Sequence, residues 1–258
     1  MRVLSPTRRL ALVSAAAAVS CALVLWNSGS EAEAAANSVG TVNYSSGDVL
    51  RSRSKSQSFN RLKKGQRLYQ GDTIKTKDSS RFEAKLKDGS MLRLASNSQL
   101  SLNEINFDRK QPRKKKKVKA KLFFGRVWAS VTSLFGDDSS FEVETETAVA
   151  GVRGTKFAAS TSEGGATTVK VYEGKVLISN EPIYKVKGAT KENRVEVPGP
   201  QEISKKQWNE LVAGAMQLVQ IAANGEMGQM EAFALGSAED KEWEEWNASR
   251  DRLAGLDE

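Results

Sequence analysis

Phe141 to Phe157 read FEVETETAVAGVRGTKF. Phe141, Val143, Thr145 and Thr147 alternate with Glu142, Glu144 and Glu146. A strand sends successive side chains to opposite faces, so the first half predicts a half-buried strand with a charged outer face. Gly151 and Gly154 then bracket a short turn, and Lys156-Phe157-Ala158 resumes an extended run. Glycine at such points supplies φ > 0 or lets a neighbouring strand come close. The segment therefore predicts a strand, a tight turn and a second strand.

The same alternation recurs from Gly47 to Ser179. Phe82, Ala84 and Leu86 lead into Asp88-Gly89, and Leu92 and Leu94 lead out. Asp-Gly between alternating runs is a strong hairpin signal, because both residues tolerate left-handed angles. Leu100 and Leu102, then Val127, Ala129 and Val131, continue the pattern. Val169 and Val171 lead into Glu173-Gly174, with Val176 and Ile178 beyond. About a dozen short strands with regular turns imply an all-β sandwich, barrel or solenoid.

Five pieces of this region, in order, resemble the FecR domain, a module of the bacterial cell envelope. They are Gly71-Asp72-Thr73-Ile74-Lys75-Thr76, Asp88-Gly89-Ser90-Met91-Leu92-Arg93-Leu94, Gly125-Arg126-Val127, the Phe141–Phe157 stretch and Glu173-Gly174-Lys175-Val176. The resemblance covers roughly residues 45 to 180. It implies a mainly β fold: a compact antiparallel or solenoid-like module, followed here by a C-terminal helix and an acidic tail. The expected organisation is a signal peptide or membrane anchor over 1–36, a FecR-like β domain over 40–185 with a basic loop at 108–121, and a helical segment with an acidic tail over 200–258. FecR regulators carry a cytoplasmic segment that controls a sigma factor. Only nine residues precede the first apolar run here, far below the roughly 40 that a small fold needs. Sigma-factor control is therefore not expected, and no family residue is carried over as a site.

Composition restricts the chemistry. There is no histidine, and the single cysteine, Cys21, lies in the N-terminal apolar run. Ser-His-Asp and Cys-His nucleophiles and the usual His/Cys zinc sites are excluded. Neither a Walker-type nor a dinucleotide-type glycine motif occurs. The chain reads as a non-enzyme with no cofactor.

Arg2, Arg8 and Arg9 precede an apolar run from Leu10 to Trp26, and Ala32-Glu33-Ala34 and Ala34-Ala35-Ala36 follow. This order predicts a cleaved export signal. An uncleaved anchor over residues 10–26 and lipidation at Cys21 are the alternatives; all three place the remainder outside the cytoplasm, in the periplasm or on the envelope.

The net charge of +8 is unevenly spread. Arg109, Lys110, Arg113, Lys114, Lys115, Lys116, Lys117, Lys119 and Lys121 crowd into thirteen residues. Like charges at that density cannot be buried, so the tract predicts a solvated hairpin loop. Arg113, Lys114, Lys115, Lys116, Lys117 and Lys119 are the candidate contacts for an anionic partner, an acidic glycan or a lipid surface. The other reading is a signalling or assembly component that binds another envelope protein by a face or strand edge. Nucleic acid is not expected, since no aromatic residue lies within Arg109 to Lys121 and export removes the substrate.

Beyond Pro198-Gly199-Pro200, Trp208, Leu211, Val212, Ala215, Leu218, Val219 and Ala222 recur at three and four residues. With a Ser204/Gln207 capping box and an Asn224-Gly225 stop, they predict a helix. Trp243 and Trp246 lie further on among acids and are expected to anchor the tail to the β module. Arg153, inside the glycine turn, is expected to play a structural part.

Overall fold

The computed structural model of the protein describes residues 38–54, 56, 58–107, 116–132, 139–152, 154–179, 212–237 and 240–256. The N-terminal apolar run, the tract from Asp108 to Lys115, Arg153, Trp208 and the Ser204/Gln207 pair lie outside the described residues.

The Asp88-Gly89 hairpin forms as its sequence requires. It joins β6 (Arg81–Leu86) to β7 (Met91–Leu94), antiparallel. Gly89 has φ 94°. The Ser90 backbone N–H donates to Asp88 Oδ1 at 3.0 Å, and its hydroxyl donates to Oδ2 at 2.8 Å. Phe82, Ala84, Leu86, Leu92 and Leu94 all face the core.

The strands assemble into two layers. In the first, β4 (Arg67–Leu68), β1 (Gly40–Ser46), β6 and β7 lie on one side of β9 (Lys116–Ser130). On its other side are β12 (Lys156–Thr161), β13 (Thr167–Glu173), β16 (Gln217–Ile221) and β17 (Glu231–Ala232). In the second, β3 (Asn60–Arg61), β2 (Val49–Ser52), β5 (Thr73–Thr76) and β8 (Ser98–Phe107) precede β9. β10 (Ser140–Glu144), β11 (Val149–Val152), β14 (Val176–Ser179) and β15 (Val212–Ala213) follow it. Every pairing is antiparallel except that of β9 with β10.

β9 is thus central to both layers. Residues 116–124 pair with β8, and residues 125–130 pair with β12. Val118, Ala120 and Leu122 point inward before the bend; Val127 and Ala129 do so after it. The period-2 alternation slips by one residue across Phe123-Phe124-Gly125, where the pairing with β8 also shifts. Gly125 has φ 88°, and a Cβ there would stand 2.5 Å from both Asn97 O and Ser98 Cα. Only glycine fits that approach. Inward residues of both layers form one apolar cluster, as two stacked sheets require.

The opening segment folds with one change. Phe141 and Val143 point into the core as the alternation predicts. The turn, however, comes earlier than Gly151: the Thr145 backbone N–H donates to Ala148 O at 2.8 Å, and Val149–Val152 pairs back on β10. Gly154, φ 63°, lies where the chain leaves β11 for β12 in the other layer.

The helix expected over Trp208 to Ala222 is not what its described residues form. Val212–Ala213 and Gln217–Ile221 are strands, and Asn224-Gly225 is the turn after β16 rather than a helix stop. Met216 has φ 62°, which no helix tolerates. Val219 and Ile221 join the core while Gln220 is exposed. That is the strand period, and hydrogen bonding to β13 decides in its favour. The helix of the C-terminal region is instead α1 (Lys241–Ala254), which ends on Gly255 at φ 67°.

Candidate interaction surfaces

Two outer faces remain once the core is filled. On the second layer, β9 carries part of the basic tract. The charge run conceals the alternation Lys117-Val118-Lys119-Ala120-Lys121-Leu122, which puts the lysines outward and the apolar residues inward. The expectation of a solvated loop through residue 121 is therefore corrected: from Lys116 onward the tract is strand, held between β8 and β10. The Lys116 backbone N–H donates to Ser139 Oγ at 3.2 Å. Lys117 Nζ pairs with Glu104 Oε1 at 3.2 Å, both half-buried or nearly exposed. Lys119 Nζ stands 3.3 Å from Glu142 Oε2, and the Glu142 side chain is 2% exposed. Glu142 thus belongs to the charged outer face that the sequence predicts, but as a buried partner. Arg113, Lys114 and Lys115 lie outside the described residues. The sequence reading missed the aromatic neighbours of this strip. Lys121 Nζ lies 5.5 Å from the ring centroid of Phe123, which is 44% exposed, and Lys75 Nζ lies 5.8 Å from that of Phe124. The Phe-Phe pair beside the glycine was its signal, visible only once the bend is known.

On the first layer, α1 covers the outer face. Trp243 is buried with Ala95 and Trp128, and Ala158, Tyr172 and Trp246 pack against them. Trp243 and Trp246 stack at 5.3 Å, and Trp246 meets Tyr44 at 5.8 Å. The two tryptophans do anchor the tail on the β layers.

The polar part of this contact is an ionic network. Arg93, wholly buried on β7, donates from Nε to Glu83 Oε2 at 2.7 Å and pairs with Asp251 Oδ1 at 2.6 Å. Arg250 Nε donates to the same Glu83 oxygen at 3.0 Å. Burial alone would raise the Glu83 pKa. Hydrogen bonds from Arg250, Arg93 and Asn43 outweigh it and hold the carboxyl below its ordinary value. Just before the helix, Asp240 accepts from Arg126 at 2.8 Å and from Lys170 at 2.5 Å. Lys170 and Arg126 likewise overcome the burial of Asp240 and lower its pKa. The Tyr172 hydroxyl donates to Glu244 Oε1 at 2.8 Å, and its pKa is raised by burial first and by that acid second.

The sheet edges offer little. The four terminal strands β3, β4, β15 and β17 have two residues each. Short edge strands leave almost no ladder for an added strand, so the edge mode considered above finds no support in the described residues.

Residues 72–177 match the FecR protein family. The match runs from the buried Asp72 on the approach to β5, through both hairpin and glycine motifs, into β14. No curated protein matches the chain. Two crystal structures of a candidate anti-sigma factor from Parabacteroides distasonis are similar over 62% of this chain and 59% of that chain. They have 16% identity, with TM-scores of 0.40 and 0.41. The chain spans about three fifths of the length of that protein. The part of this chain that is similar to the FecR family is thus residues 72–177, about two fifths of its length.

Proposed function

We propose that the chain is a non-enzymatic, exported binding module of the cell envelope that works in a signalling or regulatory setting. Its partner is an anionic envelope component: an acidic glycan, a phosphate-bearing polymer or an anionic lipid surface. The observation that carries this reading is the strip on β9. Lys117, Lys119 and Lys121 face outward on one strand, directly after Arg109 to Lys115 in sequence, with the exposed Phe123 at the far end. Glu104 and Glu142 neutralise Lys117 and Lys119, and the proposed main contacts are Arg113, Lys114 and Lys115, with Lys121. Each basic residue near an anionic surface contributes about 1 kcal/mol, screened within a Debye length of about 8 Å at physiological salt.

The test is co-sedimentation of the protein with isolated envelope fractions, and with vesicles containing anionic lipid, across a salt series. Binding is expected to fall as salt rises and to be lost when Lys114 to Lys117 are neutralised together. Equal binding of that variant at low salt refutes the reading. A second reading, an envelope protein as partner, is favoured by the exposed Phe123 and Phe59. In-cell crosslinking through those positions tests it, and no reproducible protein adduct counts against it.

A further inference from the structure

Helix α1 makes an unusual contact for a structural helix. An ordinary surface helix buries an apolar stripe. Of α1's fourteen residues, the buried ones are Trp243, Glu244, Asn247 and Asp251, so three of the four are polar. None of its residues joins the apolar cluster between the layers. The helix supplies no strand, and the ladders of both layers are complete without it. Beneath it the sheet presents Tyr44, Arg81, Arg93, Arg126, Trp128 and Tyr172. Trp, Tyr and Arg are the residues enriched at the centres of interfaces between separate proteins.

The charges are sorted by side. Asp240, Glu242, Glu244 and Asp251 come from the helix region and meet Arg126 with Lys170, Arg81, Tyr172 and Arg93 respectively. One pair runs the other way, Arg250 to Glu83. Such complementarity fixes partner and register more than it adds affinity. The chain approaches the helix through an exposed stretch whose Gly236 backbone N–H donates to Glu244 Oε2 at 2.8 Å. Phe233 is still held, its N–H donating to Met216 O at 3.0 Å and its ring against Tyr172. After it come the exposed Leu235 and Gly236, the latter at φ 82°.

We infer that the outer face of the first layer is a recognition surface for an acidic helix bearing two tryptophans three residues apart, supplied by a partner protein. α1 is the resident occupant of that surface and leaves it when the partner binds. This is helix-in-groove recognition, with the apolar anchors and the flanking acids read together. It is independent of the basic strip, which lies on the other layer.

The experiment uses the full chain with a protease site inserted between Gly236 and Ser237, cleaved under native conditions. The probe is a fluorescent peptide of residues 237–258. Exchange of the probe into the nicked protein is expected while near-ultraviolet dichroism of the β layers persists, and binding is expected to weaken at least tenfold between low and high salt. A peptide keeping only the acids and the two tryptophans on an otherwise altered helix is expected to compete, and one with both tryptophans as alanine is not. Loss of the β signal on peptide release, or no exchange short of global unfolding, overturns the inference, since α1 is then part of the fold. Competition by the native sequence alone, or dimers that trade α1 between copies, overturns the assignment to a partner protein.

Discussion

Replacing Arg93 by methionine tests the ionic network directly. Arg93 is fully buried and holds both Glu83 and Asp251. Methionine fills much of the same space without the charge. Glu83 would keep Arg250 and Asn43. Asp251, almost completely buried, would keep the Ser130 hydroxyl, which donates to its Oδ1 at 3.0 Å. An uncompensated buried carboxylate is the main cost, and breaking a buried pair from one side costs about 3–5 kcal/mol. For a unit of this size each kcal/mol moves Tm by about 2–4 °C, so a fall of roughly 6–20 °C is expected. Arg93→Met combined with Asp251→Leu removes both charges and is expected to recover at least half of the loss, because apolar replacements of buried pairs are often neutral or better. Urea denaturation of the four members of the cycle gives the coupling, provided the m-value is unchanged. A single-variant loss below about 1 kcal/mol refutes the reasoning, since a desolvated, unpaired Asp251 could not be so cheap.

Gly125→Ala and Gly65→Ala separate backbone strain from crowding. Both glycines have positive φ, 88° and 84°, but Gly65 has nothing within 4 Å of a built Cβ while Gly125 faces Asn97 and Ser98. Gly65→Ala is expected to cost about 1 kcal/mol and Gly125→Ala at least about 2 kcal/mol by thermal melting; equal losses contradict the described bend. Lys119→Met leaves Glu142 buried opposite an apolar group and is expected to cost about 1–2 kcal/mol after allowing for the partial exposure of the lysine. Neutralising Lys114 to Lys116 is expected to change stability by less than about 0.5 kcal/mol while removing envelope binding. The pKa values of Glu83 and Asp240 are depressed, so their stabilisation is present above the ordinary carboxylate range and is lost as pH falls through the folded values. Asp72 has the opposite sign. Burial raises its pKa, so its contribution is full below the ordinary aspartate value of 3.8 and is lost as pH rises through the folded one. Tryptophan fluorescence followed against acid is therefore expected to change before the far-ultraviolet β signal; coincident transitions count against a separable α1.

The strands were legible wherever one face is core and the other is not. Asp88-Gly89 and the Phe141–Val143 alternation needed no tertiary information. Two failures share a cause. Leu218, Val219 and Ala222 satisfy helical spacing while Val219 and Ile221 satisfy strand alternation over the same stretch, and only the open edge of β13 decides between them. Lys117 to Lys121 read as a charge block because half-buried strands with lysine on every second position look, by count, like loops. The docking of the tail was legible from Trp243 and Trp246, since exposed tryptophans need a partner. The Arg93–Glu83–Asp251 network was not. Arg93 sits in a hairpin motif whose alternation labels it solvent-facing, and nothing local says that a helix more than 140 residues later will cover it.

The shared position of β9 has a consequence for how the chain comes apart. Among the described strands, every hydrogen-bonded link between residues 40–107 and residues 140–232 passes through this one strand, in both layers. The two halves are therefore leaves hinged on a common spine. Amides of Val118, Ala120, Val127 and Ala129 can exchange with solvent only when the spine itself is released. A pull that parts the halves loads β9 together with the α1 region, which is bonded to Arg81, Glu83 and Arg93 on one side and to Lys170 and Tyr172 on the other, so spine and helix share the force at which the protein yields.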